Sequence, residues 1–377
     1  MGAAIAIILL GLDSLVFTAL ALQIVKSVTT HIPVIAKTKL AYETDIPSVT
    51  VCIPARNEEH ALAECLQRII NSTYPKLEIV VLDDSSSDGT SLLIKSFAHA
   101  GVRFVRGATL PGGWLGKNHA LKELADQANG SYVLFMDVDT RLSPAAIEHM
   151  VRTMLSKGVE MLSVIPRRTD GLRASVLWSP LKYYWELARS RKDAPAASSN
   201  AWLIKRSTAQ QFFKDNEVDI KNAVMPEAYI ASQLKSSYAV SIGTPGMGVA
   251  YEKKWSSQCE TSVRLLHPMI GGRAYRSLLA TLGLLTLLTP QILLVSLLWQ
   301  DVSWIHGFAA ILTVLYGLLY AYYAKTVWDK GWYIAFFLWP LIVIQETILV
   351  TMSCVMYLQK RVLWKGRPIR SVRPNIR

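Results

Sequence analysis

The sequence predicts an α/β domain with a mostly parallel sheet and flanking helices, joined to transmembrane α-helices. Residues 48–250 alternate short apolar strands with amphipathic helices, which is the pattern of βαβ units. Apolar runs at 3–25 and through much of 277–358 are long enough to cross the hydrocarbon of a bilayer. Hydrophobic residues make up 51% of the 377 residues, which agrees with part of the chain lying in lipid.

The strands of this domain carry acids where they end. Strands are predicted at SVTVCIPA, LEIVVLDD, VRFVRG and SYVLFMDVD, with helices at EEHALAECLQRII, SLLIKSFAHA and KNHALKELADQA between them. Asp83 and Asp84 end the second strand, and Asp137 and Asp139 end the fourth. Because open α/β sheets bind ligands beyond the carboxyl ends of their strands, these acids are candidate site residues.

The chain divides into segments of different composition. The segments that we expect are a retained amino-terminal anchor at 1–27, the α/β domain at 48–250, an amphipathic interfacial segment at 251–276, about three transmembrane helices at 277–358 and a basic tail at 359–377. The first apolar run lacks the basic leader and the cleavage site of a signal peptide, so it is interpreted as an anchor.

Basic residues give the expected orientation of a multi-pass protein of the cell membrane. Lys26, Lys37 and Lys39 follow the anchor and place the α/β domain in the cytoplasm by the positive-inside tendency. The tail at 359–377 has seven basic residues and no acid, which favours contact with anionic lipid. Three later spans would put this tail outside. We therefore expect either a re-entrant hairpin at Pro340 or one segment that only lies in the interface, with the tail in the cytoplasm.

Composition argues against a nucleic-acid-binding protein. The net charge is +12, but the tail supplies much of it, and no zinc-ligand spacing or RNA-binding signature accompanies it. Four scattered cysteines, none in a CxxC pair, fit thiols in a reducing compartment.

The spacing of Asp137 and Asp139 allows two explanations. An aspartate after a strand often forms a turn or caps the next helix, and Ser143 is the cap expected here. Ionised carboxylates are costly to bury unless they are paired or hold a metal, which favours a functional site. The short D-x-D pattern does not decide between them.

Four stretches in this order and spacing resemble the membrane-bound family 2 glycosyltransferases with a GT-A fold. They are VTVCIPARNEEHALAECLQRI, IVVLDDSSSDGT, GGWLGKNHAL and YVLFMDVDT, within about residues 48–250. GGWLGKNHA and VLWKGRPI look most like bacterial carotenoid-acid (diaponeurosporenoate) glycosyltransferases, and ceramide-glucosyltransferase-like proteins are similar. The resemblance implies a nucleotide-diphosphate sugar, usually a UDP-sugar, and Mg²⁺ or Mn²⁺.

The resemblance also implies roles for individual residues. It implies donor contacts by Pro54, Ala55, Arg56, Glu58, Asp83, Asp84, Lys117 and Asp137, and metal binding by Asp137 and Asp139. One acid of the Asp83-Asp84 pair is expected to bind uracil and the other to shape the loop. Glu58 also suits the first turn of a helix, and Lys117 also suits a solvated helix start.

A base that takes the acceptor proton is the remaining requirement of an inverting transfer. The family pattern implies Glu227 in VMPEAYIASQL, although Pro226 stands where an acid is commoner, and Asp219 is the reserve candidate. The Q/R-x-x-R-W segment of many relatives has no clean copy, and Gln258 and Arg264 are its nearest counterparts. His119 and His267 are expected to be structural.

We therefore expect a single sugar transfer to a lipid or other membrane-embedded acceptor. Two alternatives stay open from the sequence. One is a processive or oligosaccharide-building membrane glycan synthase, which the missing Q/R-x-x-R-W segment disfavours. The other is a non-catalytic scaffold that binds a nucleotide sugar.

Overall fold

A computed structural model describes residues 2–32, 46–191 and 193–369. Its strands are β1 (Val49–Ala55), β2 (Leu77–Asp83), β3 (Val102–Arg106), β4 (Tyr132–Met136), β5 (Thr140–Leu142), β6 (Met161–Ile165), β7 (Arg167–Arg168), β8 (Ala201–Lys205), β9 (Tyr238–Ile242), β10 (Val249–Tyr251), β11 (Leu363–Trp364) and β12 (Arg367–Pro368). Its α-helices are α1 (Gly2–His31), α2 (Glu59–Ile70), α3 (Thr90–Ser96), α4 (Gly116–Gln127), α5 (Ala146–Lys157), α6 (Ala174–Leu177), α7 (Lys182–Arg189), α8 (Arg206–Asp215), α9 (Glu217–Ile220), α10 (Pro226–Leu234), α11 (Trp255–Met269), α12 (Ala274–Thr286), α13 (Thr289–Val295), α14 (Trp304–Val327) and α15 (Ala335–Leu358).

The central sheet has seven strands in the order β3-β2-β1-β4-β8-β6-β9. Its pairs are parallel except that β8 runs antiparallel to β4 and β6. Every residue of β4 and β6 is buried, as expected for strands covered on both faces. The prediction of a mostly parallel sheet with flanking helices is confirmed.

The register of the parallel strands brings their carboxyl ends to one edge. Ala55 at the end of β1 pairs with Asp83 at the end of β2, and β4 lies on the other side of β1. The loops that follow these strands therefore lie side by side, and they carry the predicted acids.

A second sheet, in the order β5-β10-β7, continues from the Asp137–Asp139 turn. Asp139 accepts a hydrogen bond from the backbone N–H of Glu252 through its carbonyl (3.1 Å), which places the next residue, Lys253, beside the turn. Helix α5 begins at Ala146 without a side-chain cap, so the expected cap at Ser143 is wrong. Residues 140–142 form a strand instead because they pair with β10.

Three helices are long and apolar enough to span a membrane, within Ala4–His31, Trp304–Val327 and Trp332–Leu358. A fourth apolar segment, α12 with α13, is bent by 44°. Pro290 lies in the first turn of α13 and has no N–H to continue the hydrogen bonding of α12, which explains the break.

Pro340 does not break the last apolar run. Helix α15 is continuous through it, so a hairpin at this residue is wrong. The proline leaves the carbonyl of Phe336 without its helical donor, and α14 packs closely at that point. A Cβ on Gly317 would lie 2.8 Å from the Phe336 carbonyl oxygen, so this close approach requires glycine.

Helix α15 lies along the α/β domain. Just before it, Trp328 forms a backbone bridge with Arg168 of β7. At its middle, the Glu346 carboxylate accepts hydrogen bonds from the backbone N–H of Leu181 (2.7 Å) and the indole N–H of Trp185 (3.2 Å). The chain after its end contacts the β1 and β2 loops, as described below. The segments before and after this 24-residue helix, at Trp328 and Lys365, therefore both contact the α/β domain.

The opposite face of α15 is an exposed apolar stripe. Its residues are Phe337, Leu341, Ile344, Ile348 and Met352. Their spacing of three or four puts them on one side of the helix. A helix with one face on protein and one apolar face outward suits the surface layer of a membrane.

Helix α1 contacts both the helical region and the α/β domain. Asp13, an acid within the apolar helix α1, accepts a hydrogen bond from the Tyr316 hydroxyl of α14 at 2.8 Å. Near its other end, the Ser27 hydroxyl donates to the Leu187 carbonyl of α7 at 2.8 Å. Lys37 and Lys39 lie outside the described residues, as do the tail residues 370–377.

Replacing Glu346 by Leu should destabilise the protein. The change leaves the N–H groups of Leu181 and Trp185 without their acceptor, at a cost of about 1–3 kcal/mol for each. Glu346→Gln keeps the shape and one oxygen acceptor, so it should lose less. Thermal unfolding midpoints in one detergent would compare the three proteins, and equal midpoints would contradict this role for Glu346.

Candidate active site

An enclosed cavity of about 120 Å³ lies at the carboxyl edge of the central sheet. Lys117, Asp137, Lys182, Glu227 and Arg264 are among its lining residues. Helices α4, α7, α10 and α11 supply Lys117, Lys182, Glu227 and Arg264, respectively. Asp137 directly follows β4. The structure thus brings three predicted site residues, Lys117, Asp137 and Glu227, into one cavity.

Asp137 is held firmly at the end of β4. Its backbone N–H donates to the Asn200 carbonyl at 3.1 Å, and its carboxylate accepts a hydrogen bond from the Lys117 ammonium at 2.5 Å. Burial raises the pKa of Asp137, but Lys117, with Lys253 and Lys182 beyond it, lowers the pKa more, so the net pKa is below its ordinary value. Asp137 therefore stays ionised.

Asp139 forms the second ion pair of the turn, with Lys253 at 3.1 Å. No group of three His, Cys, Asp or Glu side chains that could hold a metal is found among the described residues. Two strand-end carboxylates nevertheless fit Mg²⁺ or Mn²⁺, because such ions in phosphate sites are often held by one or two carboxylates together with the substrate phosphates and water. The residues present fit a cation shared with a diphosphate.

Glu227 is a buried carboxylate with an unused oxygen. It lies in the first turn of α10, directly after Pro226, and is 1% exposed. Its Oε1 has no hydrogen-bond partner within the described ranges. Burial raises the pKa of Glu227 and outweighs the lowering by Lys117 and Lys182. Asp219 is not among the residues that line the cavity, and it accepts a hydrogen bond from the Tyr229 hydroxyl at 3.1 Å.

The two aspartates after β2 have different partners. Asp83 accepts a hydrogen bond from the backbone N–H of Ser86 at 3.0 Å and another from the Ser91 hydroxyl, so it shapes the loop. The carboxylate of Asp84 instead accepts from the Arg367 guanidinium at 2.7 Å. Asp83 thus shapes the loop, and binding of a base by Asp84 stays a prediction.

Four of the predicted donor residues lie at the end of β1 and in the loop that follows it. Pro54 and Ala55 are the last residues of β1, and the Ala55 carbonyl accepts the backbone N–H of Asp84 at 2.8 Å. Arg56 begins the loop and donates to the carbonyl of Asp84 at 2.5 Å. Glu58 pairs with Lys365 at 2.9 Å. Burial raises the pKa of Glu58 more than Lys365 lowers it.

Lys365 and Arg367 correct the expectation for the basic tail. Both were expected to contact anionic lipid, but their side chains pair with Glu58 and Asp84 of the α/β domain. The reason is electrostatic, since these two acids lie in adjacent loops that the tail reaches after α15. No signal in the sequence indicated this contact beyond the resemblance of VLWKGRPI.

Lys182 and Tyr183 of α7 are lining residues that the sequence did not identify. The Lys182 ammonium lies 5.1 Å from the centroid of the Tyr183 ring. Burial lowers the pKa of Lys182, against the opposing effect of Glu227. The short segment KYYWELAR shows only an amphipathic helix, so its contribution to the cavity depends on tertiary packing.

Gln258 and Arg264 have distinct environments. Gln258 donates to the carbonyls of Ser175 (2.7 Å) and Lys253 (2.9 Å), so its amide supports the Lys253 segment. Arg264 has a buried Nε without a hydrogen-bond partner in the described part of the chain, and its guanidinium lies 5.7 Å from the centroid of the Trp364 ring. An arginine and a tryptophan that are distant in sequence thus meet beside the cavity.

The two histidines have local partners. The His267 ring bonds the Ser277 hydroxyl at 2.8 Å. The His119 ring lies 3.6 Å from the Glu123 carboxylate and packs edge-on against Trp114. These contacts agree with structural roles.

The central part of the chain matches a known protein family. Residues 50–213 match the model of Glycosyl transferase family 2. A 4,4'-diaponeurosporenoate glycosyltransferase of Staphylococcus aureus is 34% identical over 121 residues, which cover 32% of each chain. An uncharacterized protein of Mycobacterium tuberculosis is 32% identical over 124 residues, covering 33% of this chain and 37% of that protein. These alignments span only about a third of either relative.

A solved structure shares the fold across most of the chain. It is a mannosyltransferase of Pyrobaculum calidifontis in complex with GDP-Man and Mn²⁺. The TM-score is 0.55 at 17% identity, with 94% of this chain and 98% of that chain covered. At this identity the likeness concerns the fold, and it includes the helical region as well as the sheet.

Proposed function

Residues 50–213 form a family 2 glycosyltransferase domain with a GT-A fold, and from this premise we propose that the chain transfers a sugar from a nucleotide-diphosphate sugar to a lipid acceptor. The transfer proceeds once per acceptor and inverts the anomeric centre. The observation that carries the proposal is the shared cavity of Asp137, an ionised acid beside Lys117, and Glu227, a buried acid with an unused oxygen.

The donor binds across the carboxyl ends of β1 and β2. Glu58 and Asp84 lie in adjacent loops, and carboxylates at such positions accept hydrogen bonds from ribose hydroxyls and from the N–H of a base. The resemblance of the motifs favours a UDP-sugar. Because the structural relative was solved with GDP-Man, a binding test should compare UDP-sugars with GDP-sugars.

Asp137 and Asp139 are the residues that would hold Mg²⁺ or Mn²⁺ together with the donor diphosphate. When bound, the metal ion acts as a Lewis acid that stabilises the charge of the departing diphosphate. Lys117 and Arg264 line the same cavity, so their charges can stabilise the diphosphate as well. The lowered pKa of Asp137 keeps that carboxylate available as a ligand throughout the neutral range.

Glu227 takes the proton of the acceptor hydroxyl. Its unused Oε1 is the atom that receives the proton, and the raised pKa brings the group nearer to the value that suits a general base at neutral pH. Attack from the side opposite the diphosphate produces inversion. Pro226 fixes the first turn of α10 and so helps to position this carboxylate.

The acceptor reaches the site from the membrane. A second cavity of about 730 Å³ lies between α11 and α15, and Trp255, Val263, Ile348 and Met352 are among its mostly apolar lining residues. Arg264 lines both this cavity and the cavity that Asp137 and Glu227 line, which we call the catalytic cavity. The volume lies within the roughly 300–1,000 Å³ of small-molecule sites, and its apolar lining suits a lipid chain.

The α/β domain and the tail face the cytoplasm. Helices α1 and α14 cross the membrane and α12 with α13 returns through it. Helix α15 lies in the interface because its middle bonds Leu181 through Glu346 and the segments before and after it contact the α/β domain. This arrangement removes the conflict between three later spans and a basic tail. Trp299 and Trp304 are exposed at the opposite end of the helical region, as expected of residues at a membrane surface.

Glu227→Gln should abolish turnover while leaving donor binding unchanged, because the amide fills the same space but takes no proton. Glu217→Gln is the matched control, since Glu217 is exposed on α9. The assay combines nucleotide release with mass spectrometry of extracted lipids, where one added hexose is expected. Turnover by Glu227→Gln would contradict the role of Glu227 as the base. Addition of several hexoses to one acceptor would indicate a polymerising synthase. A wild-type protein that binds the donor without turnover would indicate a scaffold.

The pH dependence of turnover tests the role of Glu227 independently. Glu227 must be ionised to act, so turnover should fall as the pH is lowered through its folded-state pKa. That pKa is raised, so the fall should begin above the ordinary glutamate value of ~4.3. Constant turnover down to that value would contradict a raised pKa for the base.

The topology predicts opposite accessibility of two single-cysteine variants. Asp301→Cys lies in the loop before α14 and Lys360→Cys directly follows α15, and both positions are exposed. In a background without the four native cysteines, an impermeant thiol reagent on intact cells should label position 301 only. Labelling of position 360 would contradict a cytoplasmic tail.

A further inference from the structure

The chain after α15 forms a tight hairpin, which we call the tail hairpin (residues 363–368). Its two strands pair Leu363 with Pro368 and Trp364 with Arg367. The turn residues Lys365 and Gly366 have positive φ values of 46° and 79°, the left-handed pair that a two-residue hairpin turn requires. This turn directs the Lys365 and Arg367 side chains onto the α/β domain.

The tail hairpin bridges the two loops assigned to the donor nucleotide. Lys365 pairs with Glu58 at 2.9 Å, and Arg367 pairs with Asp84 at 2.7 Å. Arg56 holds the backbone, since its Nε donates to the Lys365 carbonyl at 3.3 Å. The two acids that would bind the nucleoside are therefore neutralised by the tail hairpin in this structure.

Gly116, the first residue of α4, lies in close contact with the tail hairpin. A Cβ at this position would lie 2.6 Å from Nη1 of Arg367 and 3.0 Å from the Trp364 ring. The backbone conformation of Gly116 does not itself require glycine, because its φ is not positive. The close approach of the tail hairpin explains the glycine immediately before Lys117.

With the tail hairpin in this position, the space for a donor is divided. The catalytic cavity has about 120 Å³, and a neighbouring cavity beside Glu58 and Asp139 has about 150 Å³. Trp364 lines both. Each is smaller than the roughly 300–1,000 Å³ of small-molecule sites, so neither accommodates a nucleotide sugar alone. Lys253, Thr261 and Arg264 line both as well, so outward movement of Trp364 would remove one side of the wall between the two cavities.

We propose that the tail hairpin is a lid on the donor site and that Lys365 and Arg367 bind the donor diphosphate. The lid opens to admit the nucleotide sugar, which takes Glu58 and Asp84 for its nucleoside. It then closes with its two cations transferred from these carboxylates to the diphosphate oxygens. The exchange leaves both cations with an anionic partner, the diphosphate, while the freed carboxylates accept hydrogen bonds from the nucleoside. This inference rests on the proposed function.

Binding of UDP and of uridine to the full-length protein in detergent with Mn²⁺ tests the proposal. Lys365→Met and Arg367→Met should each weaken UDP binding roughly 10-fold or more, the range of a lost hydrogen bond between charged groups. Uridine has no diphosphate, so its affinity should stay unchanged or rise as Glu58 or Asp84 is freed. Lys360→Met removes the same charge from an exposed position just before the tail hairpin and should change neither affinity.

Three outcomes would overturn the assignment. Tighter UDP binding by both variants would make the tail hairpin an inhibitory plug. Equal losses for UDP and uridine would make it a structural support of the loops. Unchanged UDP binding would remove both cations from the donor site. Wild-type protein that binds neither UDP nor GDP would instead contradict the proposed function together with the lid.

Hydrogen exchange distinguishes a moving lid from a fixed wall. The backbone amides of residues 363–367 should exchange more slowly with UDP and Mn²⁺ bound than without them, because closure on the diphosphate adds contacts. The amides of β4, in the middle of the sheet, serve as the internal reference. Exchange at 363–367 that is unaffected by UDP would contradict a donor-dependent lid.

Discussion

The structure depends on compensating the negative charge at the carboxyl edge of its sheet. The register of β1, β2 and β4 brings Glu58, Asp84, Asp137 and Asp139 to neighbouring positions, and each carboxylate has one cationic partner. Ionised carboxylates in a partly desolvated site are tolerated when paired. The partners come from α4, from the segment after β10 and from the tail hairpin, so charge compensation joins distant parts of the chain. A bound diphosphate and its metal ion would add one further anion and one further cation to these ion pairs.

The membrane helices are part of the site because they position its walls. Helix α7, which carries Lys182 into the cavity, is held by α1 through Ser27 and by α15 through Glu346 at the start of the helix. Helix α11 packs on α15 and carries Arg264 between the catalytic and apolar cavities. A change in the position of these helices would therefore reach the side chains that line the cavity directly. This physical connection explains why an enzyme with a lipid acceptor would have its domain built onto the membrane region.

The sequence predicted the parts of the site that follow from local pattern. Asp83, Asp84, Asp137 and Asp139 end apolar runs that could only be buried strands, so their common edge followed from the parallel topology. It could not predict the tail hairpin, whose partners Glu58 and Asp84 are about 300 residues away along the chain, because basic residues after an apolar run equally suit lipid. The expectation of a hairpin at Pro340 was wrong for a similar reason: the direction of an apolar helix depends on its packing partners, here Gly317 and Glu346.

The central claim is that the acids at 137 and 139 hold a divalent cation shared with the donor diphosphate. Electron paramagnetic resonance of Mn²⁺ tests it most directly, since the signal of free Mn²⁺ falls when the ion binds. Mn²⁺ should bind the wild-type protein tightly only when UDP is present, and Asp139→Asn should reduce that binding strongly while Glu217→Gln does not. Equally tight Mn²⁺ binding by Asp139→Asn in the presence of UDP would contradict the account.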